Sequence, residues 1–244
     1  MEWREDDGVR WLEADLPGAR AAFSTRIGGI SESPYDSLNV AIMTGDERES
    51  VAENRERLAR ALGRDPAGVV MGHQVHGTDL REHSGRQDPR AYADTVRSPD
   101  EVDAHATASD DLTPLVMVAD CLPVGLSGPG GVAMAHCGWR GLAGGLVAKA
   151  ARAIDAEAAA VGPGIGPCCY EVGEEVLAEF ADLDGVAEGR MLDLPAVATA
   201  LLERAGIAQV ESLDLCTKCN PDLFYSHRRD GERTGRQAGL VWMD

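Results

Sequence analysis

The sequence predicts a single α+β domain, on the basis of the chain length, the mixture of apolar patterns and the absence of a linker. With 244 residues, the chain lies near the upper limit for one hydrophobic core. Short apolar runs typical of buried strands and longer segments with helical periodicity follow one another in no regular order. No internal repeat or low-complexity tract interrupts them, so we expect residues 1–244 to form one domain.

The N-terminal part of the chain predicts a strand followed by a helix. The apolar run at 21–23 predicts a strand, which leads into a polar, glycine-containing loop at 24–29. Residues 46–62 predict a helix, because Asp46 is a suitable N-cap and apolar residues recur at helical spacing. Gly63 follows directly and marks the end of this helix.

The middle of the chain predicts three more strands. A short strand at 69–71 ends at a histidine-rich loop, and the continuous apolar run at 115–119 is typical of a strand buried on both faces. A turn rich in glycine at 127–131 leads into another strand at 131–135. The polar segment 83–100 contains two prolines and predicts an exposed excursion.

The C-terminal part predicts helices followed by closing strands. The alanine-rich segment 141–160 predicts one long helix, and the loop at 162–167 follows it. The remaining elements are helices at 174–180 and 194–205 and strands at 210–215 and 238–243.

The charge of the chain argues against two classes of partner. Its net charge is −18 and its pI about 4.6, so its surface repels nucleic-acid phosphates and anionic membranes. No apolar stretch is long enough to span a bilayer, and the N-terminus lacks the pattern of a signal peptide. We therefore expect a cytoplasmic protein with reduced cysteines, and a monomer because no exposed apolar stripe is evident.

Three predicted strands end in residues that bind metals well. These strand-end residues are His73 and His76, Asp120 and Cys121, and His136 and Cys137. Two imidazoles and one thiolate make a suitable three-ligand set for catalytic zinc, with a fourth position left for water. Alternatively, each is a separate core residue, because cysteine is often buried and the spacing matches no local C-x-x-C or H-E-x-x-H signature.

Six motifs in order make the sequence similar to one known family. They are STRIGG at 24–29, YDSLN at 35–39, QVHG at 74–77, ADCLP at 119–123, HCGWRG at 136–141 and GPGIGP at 162–167. The C-terminal FYSHRRD at 224–230 and TGR at 234–236 fit as well. Together these motifs span nearly the whole chain and resemble the laccase-domain family, also called the YfiH-like or polyphenol oxidase family.

The resemblance implies a fold, an activity and a metal site. The implied fold is one α+β domain of packed mixed sheets with helices outside, an α/β/β/α sandwich. The implied activity is zinc-dependent purine nucleoside phosphorylase, with adenosine deaminase and methylthioadenosine phosphorylase activities at the same site. The implied zinc ligands are His76, Cys121 and His136. Cys137 and His227 stand at positions where the family is variable.

Further residues in the motifs are candidates for catalysis and binding. Asp120 could carry protons, or it could orient a ligand instead, because neighbours on a strand point to opposite faces. Trp139 could stack on a purine or simply pack in the core. Phosphate or sugar contacts are predicted for Ser24, Arg26, Asn39, Arg140 and Arg228, although an arginine can equally form a surface ion pair.

The remaining cysteines do not predict a second metal site. Cys216 and Cys219 have C-x-x-C spacing and, with Cys168 and Cys169, could hold zinc. However, adjacent cysteines usually point apart, and a bare C-x-x-C is common.

Three other functions compete with the nucleoside enzyme. A copper-dependent phenol oxidase is one, although six histidines are too few for the multi-histidine cluster of a full laccase. A hydrolase with Cys121 as nucleophile and a histidine as base is the second. The third is a binding partner of other proteins that retains a vestigial site. The sequence does not indicate which nucleoside is the physiological substrate. It also does not indicate whether phosphorolysis or deamination predominates.

Overall fold

The computed structural model describes residues 1–86, 92 and 101–244, and most of its strands form two six-stranded sheets. In spatial order, the first sheet contains β1 (Glu2–Asp6), β2 (Val9–Leu16), β3 (Ala19–Ser24), β14 (Gln237–Met243), β7 (Thr113–Val118) and β4 (Val69–Val70). The second contains β13 (Gln209–Ser212), β10 (Ala158–Val161), β8 (Leu122–Gly128), β9 (Gly131–Cys137), β6 (Ala104–Thr107) and β5 (Leu80–His83). Both sheets are mixed. In the first sheet β4 is parallel to β7, and in the second β10 is parallel to β13 and β6 is parallel to β5.

Helices cover the outer faces of the two sheets. Their bounds are α1 (Arg48–Ala61), α2 (Trp139–Ala143), α3 (Leu146–Ala153), α4 (Glu174–Ala178), α5 (Leu194–Arg204) and α6 (His227–Asp230). Leu58 of α1 packs in one cluster with Trp11 and Leu240 of the first sheet. Val147 and Val197, from α3 and α5, pack against the second sheet. The layers therefore follow the order helix, sheet, sheet, helix, which confirms the α+β prediction and the fold implied by the resemblance.

None of the helices in the described part of the chain is long and apolar enough to cross a bilayer. A two-stranded ribbon of β11 (Ala187–Glu188) and β12 (Met191–Leu192) lies apart from the main sheets.

The interior between the sheets is filled by small and medium apolar side chains. Phe23 and Val118 from the first sheet pack with Val132 and Met134 from the second. The close approach depends on glycine at one position of β14. A Cβ at Gly239 would lie 2.5 Å from the Cβ of Pro123 in the opposite sheet.

The predicted strands at 21–23, 69–71, 115–119, 131–135, 210–215 and 238–243 are confirmed as β3, β4, β7, β9, β13 and β14. The helices predicted at 174–180 and 194–205 are confirmed as α4 and α5. The short strands β5 and β6 and the hairpin of β1 and β2 were not predicted, and neither was β8. Strand β8 is difficult to predict from the sequence because it contains Pro123 and Gly125, which are both unfavourable in a central strand.

The long helix predicted at 141–160 is wrong. The segment folds as α2 and α3, which are separated by Gly144 and Gly145, and Gly145 has a left-handed φ of 83°. Residues 158–161 then form β10, where four buried residues pair with β8 and β13. Helix propensity of alanine is a weak preference, and burial between two strands overrides it.

The predicted N-cap of the first helix is also wrong, whereas its end is confirmed. Helix α1 begins at Arg48, after Glu47. The carboxylate of Asp46 instead accepts hydrogen bonds from the Ser31 hydroxyl (2.6 Å) and the Asn39 amide (2.8 Å). Gly63 follows the helix with a left-handed φ of 64°, the conformation that a glycine at a helix end commonly adopts.

The exposed excursion predicted at 83–100 is wrong at two positions that the structure describes. His83 ends β5 and is buried, and Tyr92 is buried against the first sheet. Residues 87–91 and 93–100 lie outside the described part of the chain.

We expect Gly239→Ala to destabilise the protein by about 1–3 kcal/mol, because the added methyl group overlaps Pro123 across the sheet interface. Urea unfolding followed by circular dichroism measures the change. Gly85→Ala is the matched control, since a Cβ there meets no atom within 4 Å. Equal unfolding midpoints for the two variants would contradict this close packing.

Candidate metal centre and active site

Two imidazoles and one thiol converge at one end of the sheet sandwich. His76 lies in the loop after β4, Cys121 lies between β7 and β8, and His136 lies in β9. The potential ligand atoms of these three residues all lie within 4.8 Å of one another. The structure thus brings together the three strand ends that the sequence singled out.

The register of the sheets explains this convergence. In the second sheet β8 pairs with β9 so that Leu122 faces Cys137 and Pro123 faces His136, which places Cys121 beside His136. Asp120 has a φ of 90° and turns the chain from the first sheet to the second. His76 also has a left-handed φ, 61°, in the loop that reaches over from β4.

A buried carboxylate that none of the sequence motifs contains holds two of the three residues. The Oδ1 atom of Asp103 accepts hydrogen bonds from His136 Nδ1 (2.8 Å) and from the backbone N–H of His76 (3.0 Å). Its Oδ2 atom accepts from the N–H groups of Val75 (3.1 Å) and Gly77 (2.7 Å). Because His136 donates through Nδ1, its Nε2 atom is left to bind a metal.

Two other residues shape the loop around His76. The Gln74 side chain donates to the carbonyl of Met117 (2.7 Å) and accepts from the N–H of the same residue (2.8 Å), which fixes the loop to β7. Gly138 leaves room for the ligands, since a Cβ there would lie 3.0 Å from Cys121 Sγ and 3.2 Å from His76 Cδ2. Any larger residue at position 138 would crowd the two ligands.

The electrostatics of the site favour a thiolate beside an imidazolium. Burial alone would raise the pKa of Cys121, but the charge of His136 and hydrogen bonds from His136 and His76 lower it to about 6. Burial would lower the pKa of His136, but the Cys121 thiolate and Asp103 raise it to about 9. For Asp103, burial is outweighed by the hydrogen bonds from His136 and from Gly77, and its pKa falls to about 2.

These donors fit a zinc ion. Imidazole nitrogens and thiolate sulfur are the ligand types that zinc prefers, and three protein ligands leave a fourth position open. The buried His136 and the exposed His76 present that open side to a cavity. The other closely placed histidines, His83 and His105, bond to each other (3.0 Å) and do not line this cavity.

The cavity has a volume of about 670 Å³, which lies within the range of small-molecule sites. Four arginines line it: Arg55, Arg140, Arg228 and Arg236. Asp120 is the only carboxylate among the described residues of its lining. A chain of net charge −18 therefore encloses a locally basic cavity next to the three potential ligands.

Two of the predicted arginines lie at this cavity. Arg140 packs its guanidinium over the Trp139 ring, 4.2 Å from the centroid, and has no carboxylate or carbonyl partner in residues 1–86, 92 and 101–244. Arg228 lies over Tyr170 (5.2 Å) and donates from its side chain to the carbonyl of Glu171 (3.0 Å). Both cations are held by an aromatic face, which orients them without neutralising them.

Asp120 holds the C-terminal segment in place. Its Oδ1 atom accepts from the Thr217 hydroxyl (2.6 Å), and its Oδ2 atom accepts from the backbone N–H of Arg228 (2.6 Å). The carboxylate is buried, and both of its oxygens are engaged.

The structure does not bring Ser24, Arg26 and Asn39 to the cavity lining. Ser24 accepts from the Ala238 N–H (2.9 Å). Arg26 donates to the carbonyls of Asp36 (2.6 Å) and Pro221 (3.0 Å). The buried Asn39 accepts from the Arg236 N–H (2.9 Å) and so acts on the cavity indirectly.

Four residues of the site were missed in the sequence: Asp103, Arg55, Tyr170 and Arg236. Arg236 lies in the TGR motif at 234–236, which by itself does not indicate a role for the arginine. Asp103 directly precedes β6, in which apolar and polar residues alternate at 104–107. An acidic residue at the start of such a strand was the only sequence signal for Asp103. No sequence motif marks Arg55, which is buried in α1 and donates to the carbonyls of Val40 (2.7 Å) and Tyr92.

Comparison with known proteins agrees with the motifs. Residues 20–244 match the family model described as multi-copper polyphenol oxidoreductase laccase. A purine nucleoside phosphorylase of Streptomyces coelicolor is 40% identical over 242 residues, which cover 93% of this chain and 96% of that protein. The purine nucleoside phosphorylase YfiH of Escherichia coli is 37% identical over 242 residues, with coverage of 93% and 94%.

The fold is shared as well. The crystal structure of YlmD from Geobacillus stearothermophilus has a TM-score of 0.87 at 30% identity and covers 98% of this chain and 97% of its own. The YfiH protein of Bacillus licheniformis has a TM-score of 0.86 at 30% identity, with 99% of both chains covered. Motifs, sequence and fold thus agree over nearly the full length, and the chain belongs to the YfiH-like family of multi-copper polyphenol oxidoreductase laccase proteins.

Proposed function

We propose that this chain is a zinc-dependent enzyme that cleaves purine nucleosides with phosphate. The observation that carries the proposal is the position of the three potential zinc ligands at the wall of an arginine-lined cavity. The names of the relatives support the same activity. We further propose adenosine, inosine, guanosine and methylthioadenosine as substrates, with deamination of adenosine at the same site.

Phosphate binding is assigned to the cationic side of the cavity. Arg140 is the strongest candidate, because its guanidinium has no competing acceptor in the described part of the chain and faces the cavity. Arg228 is the second, since Asp120 and Tyr170 fix its position. A guanidinium matches two phosphate oxygens at once.

The purine base is assigned to the apolar side of the same cavity. Met43, Met71 and Met117 supply contact surface for a flat heterocycle. The Trp139 ring carries the Arg140 guanidinium and packs against the apolar cluster of the second sheet. In phosphorolysis, a phosphate oxygen bonds to the ribose C1′ while the C1′–N9 bond breaks. The electron pair leaves with the base, which takes up a proton, so ribose 1-phosphate and the free purine are formed.

His76, Cys121 and His136 would hold the zinc ion, which acts as a Lewis acid when bound. Asp103 fixes the tautomer of His136 and the loop of His76, and so positions two ligands together. Asp120 is proposed as a positioning residue for Arg228. Its use as a proton carrier stays a weaker alternative, because both carboxylate oxygens already accept hydrogen bonds.

A thiol hydrolase is the second candidate function. The low pKa of Cys121, the neighbouring imidazolium of His136 and the carboxylate behind it favour a Cys-His-Asp nucleophile. A phenol oxidase with several copper ions is less well supported, because two of the six histidines, His83 and His105, pair away from the cavity.

We expect the purified protein to release hypoxanthine from inosine only when phosphate is present, and to convert adenosine to inosine. His136→Ala should lower both rates by more than about 100-fold, since removal of a ligand costs more than loss of a residue behind it. Chromatography of the products measures both reactions. Turnover that survives His136→Ala and a strong chelator would instead support the thiol hydrolase or a contaminating enzyme.

Arg140→Ala should raise the KM for phosphate roughly 10- to 100-fold and change the KM for inosine little, because one charge-assisted contact is lost. Initial rates at varied phosphate measure the effect. Arg152→Ala, an exposed arginine of α3, is the matched control and should match the unaltered enzyme. An unchanged KM for phosphate in Arg140→Ala would mean that phosphate binds elsewhere. A changed KM would mean that the activity belongs to this protein and not to a contaminating enzyme.

Zinc affinity should rise with pH, by about tenfold per unit between pH 6 and pH 9. In this range the metal-free site holds one proton on His136, whose pKa is about 9, while Cys121 with a pKa of about 6 has already lost its proton. Zinc must displace that proton, so binding weakens as the pH falls. Competition with a chelating dye measures the zinc affinity at each pH. The contribution of this site is the difference between the unaltered protein and His136→Ala. An affinity independent of pH in this range would contradict the ion pair.

A further inference from the structure

Four cysteines form a second cluster, which lies outside the cavity lining. The sulfur atoms of Cys168, Cys169, Cys216 and Cys219 all lie within 4.8 Å of one another. Cys219 Sγ is 3.5 Å from Cys168 Sγ and 3.4 Å from Cys169 Sγ, and all four thiols are free. Nothing in the proposed reaction uses these residues.

The spacing of the sulfur atoms suits a single ion. Four thiolates at the usual zinc–sulfur distance of about 2.3 Å around a tetrahedral centre lie about 3.8 Å apart. The separations of 3.4 and 3.5 Å from Cys219 Sγ are near this value, and none of the others exceeds 4.8 Å. The ligating sulfurs of an iron–sulfur cluster bind different iron atoms and therefore lie farther apart on average.

The two adjacent cysteines point the same way, contrary to the expectation from the sequence. The N–H groups of Cys169 and Tyr170 both donate to the carbonyl of Gly166, at 3.0 and 3.1 Å, and so curl the chain into a turn. Consecutive side chains alternate between faces only in an extended strand. In this turn Cys168 and Cys169 both reach Cys219.

The other two cysteines are held by backbone contacts. The Thr217 N–H donates to the Gly164 carbonyl (2.9 Å), and the Asn220 side chain donates to the Cys216 carbonyl (2.8 Å). These contacts fix the backbone on both sides of Cys216.

We propose that Cys168, Cys169, Cys216 and Cys219 bind one structural zinc ion. Four protein ligands fill the tetrahedral coordination of zinc and leave no open position, which is the pattern of a structural site. Binding releases the thiol protons to solvent and involves no change of oxidation state.

The ion would join the two loops that frame the cavity. Cys169 directly precedes Tyr170, on whose ring Arg228 lies. Cys216 directly precedes Thr217, which bonds to Asp120, and Asp120 in turn bonds to the N–H of Arg228. Zinc at the four cysteines would therefore fix Arg228 from outside the cavity, on both sides.

The test is the zinc content of the full chain, purified without a histidine tag under reducing conditions and measured by mass spectrometry of the metals. Cys219→Ser should contain one zinc ion per chain fewer than the unaltered protein. Lys218→Ala is the matched control and should lose none, since its backbone contacts and all four thiols remain. His136→Ala should lose a different zinc ion, so the double variant should contain none.

A second measurement identifies the ligands. The His136→Ala protein loaded with Co²⁺ should show strong sulfur-to-cobalt charge-transfer absorption, which Cys219→Ser should weaken. Equal zinc content in the unaltered and Cys219→Ser proteins would overturn the proposal. Iron in place of zinc would also overturn it, and so would a disulfide found by mass spectrometry in the freshly reduced and purified protein. None of these outcomes depends on nucleoside turnover.

Discussion

The hydrogen bonds of the Asp103 carboxylate are the interaction on which the rest of the site depends. One buried group accepts from a ring nitrogen of His136 in the second sheet and from three consecutive backbone N–H groups at residues 75–77. Without it, the His76 loop would keep only its attachment through Gln74, and His136 would lose its preferred tautomer. A buried carboxylate with four donors is stable as an anion, which in turn favours a cation beside it.

The sandwich architecture determines what this carboxylate can organise. The potential zinc ligands come from the loop after β4, from the crossing between sheets and from β9, so each depends on a different part of the fold. Register between β8 and β9 fixes the distance from Cys121 to His136. The close approach of the sheets at Gly239 and Pro123 keeps those strands in place. Packing between the two sheets thereby controls the geometry at the cavity wall.

The sequence was sufficient to predict the fold class and to single out the three strand ends, because apolar runs followed by histidine or cysteine are visible locally. It was not sufficient for Asp103, whose donors come from distant segments. The sequence also predicted a helix at residues 158–161, which instead form a strand between β8 and β13. Motif membership marked Arg26 and Asn39, but only the structure shows that both hold loops rather than line the cavity.

The turn at Asp120 carries the chain from one sheet directly into the other, and it does so beside the ligands. An ion held by His76, Cys121 and His136 would consequently be attached to both layers of the sandwich at once. Its binding energy would then add to the cohesion of the layers, in proportion to the logarithm of the free metal concentration over the dissociation constant. Metal scarcity would thus loosen the edge of the protein that carries the arginine-lined cavity.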